Sequence, residues 1–307
     1  MPQKIQGVLP AALTARREGS SEVDFGASLD LIAFLEAHHI DGITLFGSTG
    51  EFPHFSREDR TRLVALAAKQ SKIPLLVNAS HSTLDGAVQI ASEAVDAGAT
   101  AVLIMPPYYF RYAQDDVRAF CLQFAARVKA PVYLYNMPWF TTEIELQTSL
   151  DLLATGTFAG IKDSGGKWEH FEALQGLAVN RGLTVLTGAD LTFSRMRRAG
   201  VAGTVSGVAS VLPELMVAID RSVRAGEDTT VLDRHLSDFF ERALSFPFPI
   251  GLKEAAAVRG LKTGPSASPL GPAQSQNLNN FRSWFAERLP EILEAATVGT
   301  PLHAERR

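Results

Sequence analysis

Short apolar stretches alternate with longer amphipathic stretches along most of this chain. The apolar stretches are rich in Val, Ile and Leu and show little alternation with polar residues, which is typical of parallel strands covered on both faces. The pattern predicts eight strands, Gly7–Leu13, Gly42–Phe46, Pro74–Asn78, Ala101–Met105, Val132–Asn136, Phe158–Asp163, Leu183–Thr187 and Gly203–Ser206.

Each predicted strand is followed by a stretch with the hydrophobic period of a helix that covers a sheet. The eight predicted helices are Ser28–His38, Arg57–Lys69, Leu84–Ala97, Asp115–Val128, Glu145–Leu153, Trp168–Asn180, Leu191–Ala199 and Leu212–Ala225. Eight strand–helix units fit either a closed barrel or an open doubly wound sheet. No Gly-x-Gly-x-x-Gly follows the first strand, and the count of eight favours an α/β fold of the (β/α)8 TIM barrel type.

Three more helices are predicted after the eighth unit, at Val231–Phe246, Leu252–Gly260 and Leu278–Ala295, with a loop at Lys262–Pro272. We therefore expect a barrel over residues 1–226 and a C-terminal helical extension over residues 227–307, packed together as a single structural unit. The last stretch, Thr297–Arg307, is expected to be frayed.

Composition narrows the classes of protein. The net charge of −4 provides no general attraction for nucleic acid or for an anionic membrane. The single cysteine, Cys121, excludes an internal disulfide and favours a reducing cytoplasm. No apolar run reaches the roughly 18 residues of a membrane-spanning helix, and Ile5–Thr14 is interrupted by polar and turn residues, which suits a strand and turn better than a secretory signal.

Lysine 162 is the first candidate for chemistry, because working residues of such barrels collect at the C-terminal ends of the strands. Period-two alternation places Phe158, Gly160 and Lys162 on one face, with Asp163 on the other, where it would make a structural hydrogen bond. An amine enclosed by a barrel loses hydration, which favours the neutral nucleophile of Schiff-base chemistry. A lysine that ends the strand and reaches solvent fits these residues equally well.

Tyr135 lies at the end of the fifth predicted strand, next to the strand of Lys162. Its phenol could carry protons during a reaction, or its ring could simply fill the barrel interior.

Two loops also follow predicted strands. Gly47-Ser-Thr-Gly-Glu51 combines glycines with hydroxyls, as small anion-binding turns do, although such a turn can also close a strand without a ligand. Tyr108 and Tyr109 lie side by side on the proline-rich loop Pro106–Phe110, which indicates a site, a subunit contact or two aromatic plugs.

Together these segments resemble the dihydrodipicolinate synthase/N-acetylneuraminate lyase family of pyruvate-dependent aldolases. The resemblance runs from Gly7 to about residue 260, in order and with consistent spacing. It rests on Gly47-Ser-Thr-Gly-Glu51, Pro107-Tyr-Tyr109, Tyr135-Asn-x-Pro138, Gly160-Ile-Lys-Asp-Ser164, Gly188 and Val205-Ser-Gly207.

The resemblance implies roles for individual residues. It gives Lys162 the Schiff base, Tyr135 the proton shuttle and Ser48 a relay beside it. It implies that the backbone N–H of Thr49 holds the pyruvate carboxylate. Tyr109 matches the tyrosine that family members insert into a neighbouring subunit's site, which implies a homo-oligomer, either a homodimer or a homotetramer built as a dimer of dimers.

Departures from the family pattern bear on the substrate. Dihydrodipicolinate synthases carry an arginine two residues after the proline of Tyr-Asn-x-Pro, where this chain has Phe140 preceded by Trp139. No bidentate contact to the carboxylate of aspartate semialdehyde is then available there. Trp139 and Phe140 could instead shape an apolar pocket for an aromatic or aliphatic aldehyde.

The lyase branch of the family is indicated by Ser48, which replaces the usual threonine. In that branch sugar hydroxyls are bound by residues that match Gly188, Asp190 and Ser206, so a polyhydroxylated acceptor is also compatible. The acidic residue that follows this aspartate in the branch is Leu191 here, which argues against sialic acid itself.

We therefore expect reversible aldol cleavage of a 2-keto-3-deoxy sugar acid, or of a related 4-hydroxy-2-oxo acid, to pyruvate and an aldehyde. The Gly47–Gly50 turn would fix the substrate carboxylate. The alternatives are a hydro-lyase acting on a keto-deoxy acid, a dihydrodipicolinate synthase, and a non-catalytic homologue that binds a 2-oxo acid. Nothing in the sequence has the spacing of a metal site, and we expect small-molecule partners without a cofactor, nucleic acid or membrane.

Overall fold

The computed structural model describes residues 5–297, in which eight short strands are buried along their whole length. They are β1 (Gly7–Pro10), β2 (Ile43–Leu45), β3 (Leu75–Asn78), β4 (Ala101–Ile104), β5 (Val132–Asn136), β6 (Gly160–Asp163), β7 (Thr184–Thr187) and β8 (Gly203–Ser206).

All paired strands are parallel, in the order β1-β8-β7-β6-β5-β4-β3-β2. Between β1 and β2 the sheet is closed by a single parallel bridge from Ala11 to Thr44, where the amide of Ala12 donates to the Thr44 carbonyl at 2.9 Å. The predicted (β/α)8 barrel is confirmed.

Eleven α-helices lie between and after the strands of the described residues. They are α1 (Phe25–Glu36), α2 (Arg57–Gln70), α3 (Leu84–Asp96), α4 (Gln114–Arg127), α5 (Leu146–Ala154), α6 (Trp168–Arg181), α7 (Phe193–Arg198), α8 (Pro213–Ala225), α9 (Thr230–Ala243), α10 (Ile250–Val258) and α11 (Pro272–Thr297). The first three helices each have a side-chain N-cap, because Asp24, Ser56 and Thr83 each accept a hydrogen bond from a backbone N–H of the first turn.

Several boundaries differ from the predicted ones. The first strand ends at Pro10 rather than Leu13. The seventh helix is preceded by a 3₁₀ turn, Asp190–Thr192, because the Asp190 carboxylate is tied to the amide of Val208 in the loop after β8. The last helix begins at Pro272, inside the predicted loop, since proline needs no amide partner in a first helical turn.

The prediction that Phe158 lies on the same face of the strand as Lys162 is wrong. The strand begins only at Gly160, so the alternation that turns Lys162 inward does not extend back to residue 158. Phe158 packs instead with Ile161 in the apolar cluster that includes residues of α5 and α6, whereas Ala159 packs with the cluster of Tyr135.

The C-terminal helices pack on one another through aromatic residues. The ring of Phe239 on α9 lies 5.1 Å from that of Phe285 on α11, and Phe281 stacks on Phe285 at 6.1 Å. The boundary expected near residue 226 stays a prediction, and the end expected to be frayed lies outside the described residues apart from Thr297. No helix within residues 5–297 is long and apolar enough to span a membrane.

Candidate active site

A cavity of about 400 Å³ lies at the C-terminal ends of the strands, between the barrel and the helical extension. The buried barrel residues Tyr135 and Lys162 form its inner part, and the exposed aromatic residues of the loop after β5 and of the extension form its outer part. The lining residues include Ser48, Thr49, Tyr135, Trp139, Phe140, Lys162, Ser164, Gly188, Asp190, Phe240, Leu244, Phe246 and Phe248.

Lys162 points into this cavity and not towards bulk solvent, since only 4 % of its surface is exposed. Parallel pairing of β5 with β6 places Tyr135 directly opposite Lys162, so both side chains leave the same face of the sheet. The Lys162 Nζ lies 4.0 Å from the centroid of the Tyr135 ring. An amine held in this way beside a phenol can attack a carbonyl carbon while the phenol handles protons.

The Tyr135 hydroxyl lies 3.2 Å from the Ser48 hydroxyl, and either oxygen can be the donor. Tyr135 is fully buried by the barrel, while Ser48 follows β2 and also lines the cavity. The two hydroxyls therefore line the same cavity as the amine and can hydrogen-bond to a molecule bound there.

The turn after β2 contributes Ser48 and Thr49 to the cavity lining, but not Gly47 or Gly50. A Cβ on Gly50 would lie 3.0 Å from the carbonyl oxygen of Ala12 and 3.1 Å from a backbone carbon of Phe46. Gly50 thus allows the turn to pack closely against the barrel.

A buried ion pair holds the end of this turn. Glu51 has a left-handed backbone, with φ of 51°, and its carboxylate lies 2.9 Å from the Lys253 Nζ of α10. The ammonium also donates to the carbonyl oxygen of Pro265 at 3.1 Å. The ion pair connects the turn that carries Ser48 and Thr49 to the C-terminal extension.

Gly188, directly after β7, leaves the space in which the lysine side chain lies. A Cβ at this position would be 2.9 Å from the Lys162 Cε and 2.1 Å from the Ser164 Oγ. The missing side chain is therefore a steric requirement of the lysine's position.

Asp190 is a buried carboxyl group in the cavity wall, and Ser206 lies beneath it outside the lining. Burial raises the pKa of Asp190 to about 6, against hydrogen bonds from Ser206 and the Val208 amide and the charge of Lys162. Its Oδ1 has no hydrogen-bond partner among the described residues. The site therefore holds an enclosed carboxyl group whose pKa lies closer to neutrality than that of an exposed aspartate.

Asp163 faces away from the cavity and makes the structural hydrogen bonds that were predicted for it. Its Oδ1 accepts from the Asn136 side-chain amide at 2.8 Å and from the Gly165 backbone amide at 3.0 Å. Burial raises the pKa of Asp163, and these hydrogen bonds oppose that rise. The carboxylate thereby fixes the loop that leads from Lys162 to Gly165.

Tyr109 does not reach the cavity of its own chain. Its side chain is 88 % exposed, its φ is +83°, and its ring packs edge-on against the exposed Phe110 at 4.9 Å. The neighbouring Tyr108 turns inward, against Phe52 at 5.5 Å. The loop thus presents two adjacent rings in opposite directions.

The aromatic residues of the extension are the part of the cavity that sequence reasoning missed. Phe240, Phe246 and Phe248 line it together with the predicted Phe140, and the rings of Phe140 and Phe248 are 5.9 Å apart. The aromatic and proline-rich segment 246–249 is the sequence signal that could have indicated them. Among residues 5–297 no cluster of three or more His, Cys, Asp or Glu side chains could hold a metal ion.

The model of the dihydrodipicolinate synthetase family matches residues 4–287. The 4-hydroxy-tetrahydrodipicolinate synthase of Methanosphaerula palustris is 31% identical over 86% of this chain and 93% of its own. The chain belongs to the dihydrodipicolinate synthetase family. Its fold likewise matches the 4-hydroxy-tetrahydrodipicolinate synthase of Methylacidiphilum fumariolicum, with a TM-score of 0.85, 26% identity and coverage of 95% of this chain and 99% of that one.

A further structural relative shares the fold, the dihydrodipicolinate synthase of Acinetobacter baumannii in complex with pyruvate. It has a TM-score of 0.83 at 24% identity and covers 92% of this chain and 99% of that one. Family members are pyruvate-dependent lyases that form a Schiff base, and this chain is accordingly an enzyme of the class I aldolase type.

Proposed function

We propose that this enzyme catalyses the reversible aldol cleavage of a 4-hydroxy-2-oxo acid, which includes the 2-keto-3-deoxy sugar acids, to pyruvate and an aldehyde. The observation that carries the proposal is the enclosed Lys162 amine beside the hydroxyl pair of Tyr135 and Ser48.

The reaction follows from these groups. The Lys162 amine adds to the C2 carbonyl and water leaves, which gives a protonated imine. Tyr135 removes the proton of the C4 hydroxyl, the C3–C4 bond breaks, and its electron pair moves into the imine as an enamine while the aldehyde departs. Protonation at C3 and hydrolysis return pyruvate and the free amine. Thr49, in the turn held by Glu51, would bind the carboxylate through its backbone N–H.

Synthesis of 4-hydroxy-tetrahydrodipicolinate is the rival that the curated relative's name suggests. That reaction needs a cationic partner for the second carboxylate of aspartate semialdehyde. Phe140 lies in the cavity wall at the position where such synthases carry their arginine, and it packs against Phe248. The absence of a cation in this part of the described lining favours an uncharged aldehyde.

We further propose that the enzyme works in the cytoplasm as a homo-oligomer, with Tyr109 completing the site of a neighbouring subunit. The exposed rings of Tyr109 and Phe110 support this arrangement. Mixing Lys162→Ala with Tyr109→Phe subunits should restore one complete site per hybrid. The shared-site idea fails if subunits exchange and activity does not rise above the sum of the parents.

Borohydride reduction in the presence of pyruvate tests the function itself. The treatment should add one pyruvyl group to a peptide that contains Lys162, and Lys162→Ala should abolish labelling. The exposed Lys129 provides the control, because Lys129→Ala should label normally. Product analysis with keto-deoxy acids then separates aldol cleavage, which releases pyruvate, from a hydro-lyase, which releases none. Labelling at another residue would contradict the proposal.

A further inference from the structure

We propose that the aldehyde half of the substrate is an uncharged aromatic ring, bound in the outer part of the cavity between the loop after β5 and the helical extension. This inference rests on the proposed aldol chemistry and specifies the acceptor that the chemistry uses. The ring-binding wall is defined as Trp139, Phe140, Phe240, Phe246 and Phe248, all of which line the cavity.

Polarity is divided along the cavity. Lys162, Tyr135 and Thr49 lie on the barrel side, where the oxo acid must be bound for the imine to form. The ring-binding wall comes from the loop after β5 and from the helical extension, and its exposed residues Trp139, Phe140 and Phe248 mark the open end, where the aldehyde must enter or leave. The two parts form one continuous space, so a substrate with its oxo-acid end at Lys162 places its other end against aromatic side chains.

The wall leaves large apolar surfaces uncovered. Trp139 is 70 % exposed, Phe140 is 47 % exposed and Phe248 is 36 % exposed. Contiguous exposed apolar surface marks binding sites more often than chance. The Phe140 and Phe248 rings lie 5.9 Å apart at an interplanar angle of 41°, within the range in which aromatic rings pack favourably, and a third ring can join such a pair.

Charge and hydrogen bonding argue against other acceptors. Lys162 is the only Lys, Arg or His among the described lining residues, so a second carboxylate would be desolvated without a partner. One buried oxygen, Asp190 Oδ1, lacks a hydrogen-bond partner and can accept one donor. A sugar chain brings several hydroxyls, and those that extend along the ring-binding wall would face aromatic rings.

Condensation of pyruvate with two aldehydes tests the inference. Benzaldehyde and D-erythrose have the same number of non-hydrogen atoms but opposite polarity. At saturating pyruvate, kcat/KM for benzaldehyde should exceed that for D-erythrose by roughly 10-fold or more, because binding of the ring in an apolar pocket discriminates on that scale. Equal rates, a preference for D-erythrose, or no condensation with either aldehyde would overturn the inference.

Variants of the wall provide the second measurement. Phe248→Ala should lower kcat/KM for benzaldehyde roughly 10-fold, while borohydride labelling of Lys162 by pyruvate keeps its wild-type rate. Phe248→Leu retains apolar volume without a ring, so its kcat/KM for benzaldehyde should lie between those of the wild type and Phe248→Ala. This variant provides the test if the alanine variant does not fold. Val231→Ala, on the exposed side of α9, is the matched apolar control and should change neither quantity.

Labelling separates the two proposals. Loss of pyruvate labelling in the wild-type enzyme defeats the Schiff-base function. Normal labelling of Lys162 together with any result other than a benzaldehyde preference defeats the aromatic acceptor alone. A benzaldehyde preference that survives Phe248→Ala unchanged also defeats it, because the ring would then bind elsewhere.

Discussion

A methyl group at Gly188 should impair imine formation more than it impairs folding. The Cβ of Gly188→Ala would lie 2.9 Å from the Lys162 Cε and 2.1 Å from the Ser164 Oγ. The φ angle of Gly188 is not left-handed, so the backbone accepts alanine and the cost arises from these contacts. The Ser164 hydroxyl and the end of the Lys162 side chain must both move, the latter by about 0.5 Å or more to regain ordinary contact.

Displacement of a reacting group by about 1 Å can cost roughly 100-fold in rate. We therefore expect the rate of imine formation with pyruvate to fall about 10- to 100-fold. Overpacking of a tight interior costs about 1–3 kcal/mol, so the variant should still fold. Single-turnover labelling with pyruvate and borohydride measures the rate, and thermal unfolding followed by circular dichroism measures the fold.

Gly176→Ala is the matched control, because Gly176 lies within α6 and a Cβ there meets no atom within 4 Å. Alanine in a helix is favoured over glycine by about 0.5–1 kcal/mol, so this variant should be slightly more stable and label at the wild-type rate. The steric reasoning is refuted if Gly188→Ala forms the imine as fast as the wild type. It is equally refuted if Gly176→Ala slows imine formation as much as Gly188→Ala does.

Three further predictions follow from buried charges and from the cavity wall. Because burial raises the pKa of Asp190 to about 6, its stabilising contribution is present below pH 4 and lost as pH rises through 6. The free energy of unfolding of the wild type, measured in urea, should therefore fall by up to about 3 kcal/mol relative to that of Asp190→Asn between pH 4 and pH 7. A difference that stays constant with pH would contradict this. Lys253→Met removes the ammonium partner of the buried Glu51 carboxylate and leaves its 3.3 Å contact with His54, and it should cost about 3–5 kcal/mol. Arg17→Met, which breaks an exposed pair, should cost about 1 kcal/mol or less; equal losses of unfolding free energy in urea would show that burial is unimportant. Phe140→Arg supplies a cation for the carboxylate of aspartate semialdehyde and should raise kcat/KM for its condensation with pyruvate roughly 10- to 100-fold. The absence of a gain would show that this carboxylate does not bind beside residue 140.

Local sequence information was sufficient for the repeating units and for the face of the strand that carries Lys162, but the structure was needed to show that its amine is buried. Unbroken apolar runs predict strands buried on both faces, and period-two alternation turns Lys162 inward once the strand has begun. The same rule failed for Phe158, because alternation holds only within the strand and the strand starts at Gly160. Where helices begin and end depends on tertiary contacts, as the bond between Asp190 and the Val208 amide shows.

The sequence by itself determined the barrel, the place of Lys162 at a strand end and the family resemblance, because each depends on short-range periodicity or on motifs in order along the chain. Only the tertiary structure decided what surrounds that lysine. Phe248 lies 86 positions after Lys162 in the sequence, and no local pattern reveals that its ring lines the same cavity. Lys253 is paired with Glu51, 202 positions away, for the same reason. Contacts between distant segments form only when the helical extension packs across the barrel, and they give the outer cavity its apolar character.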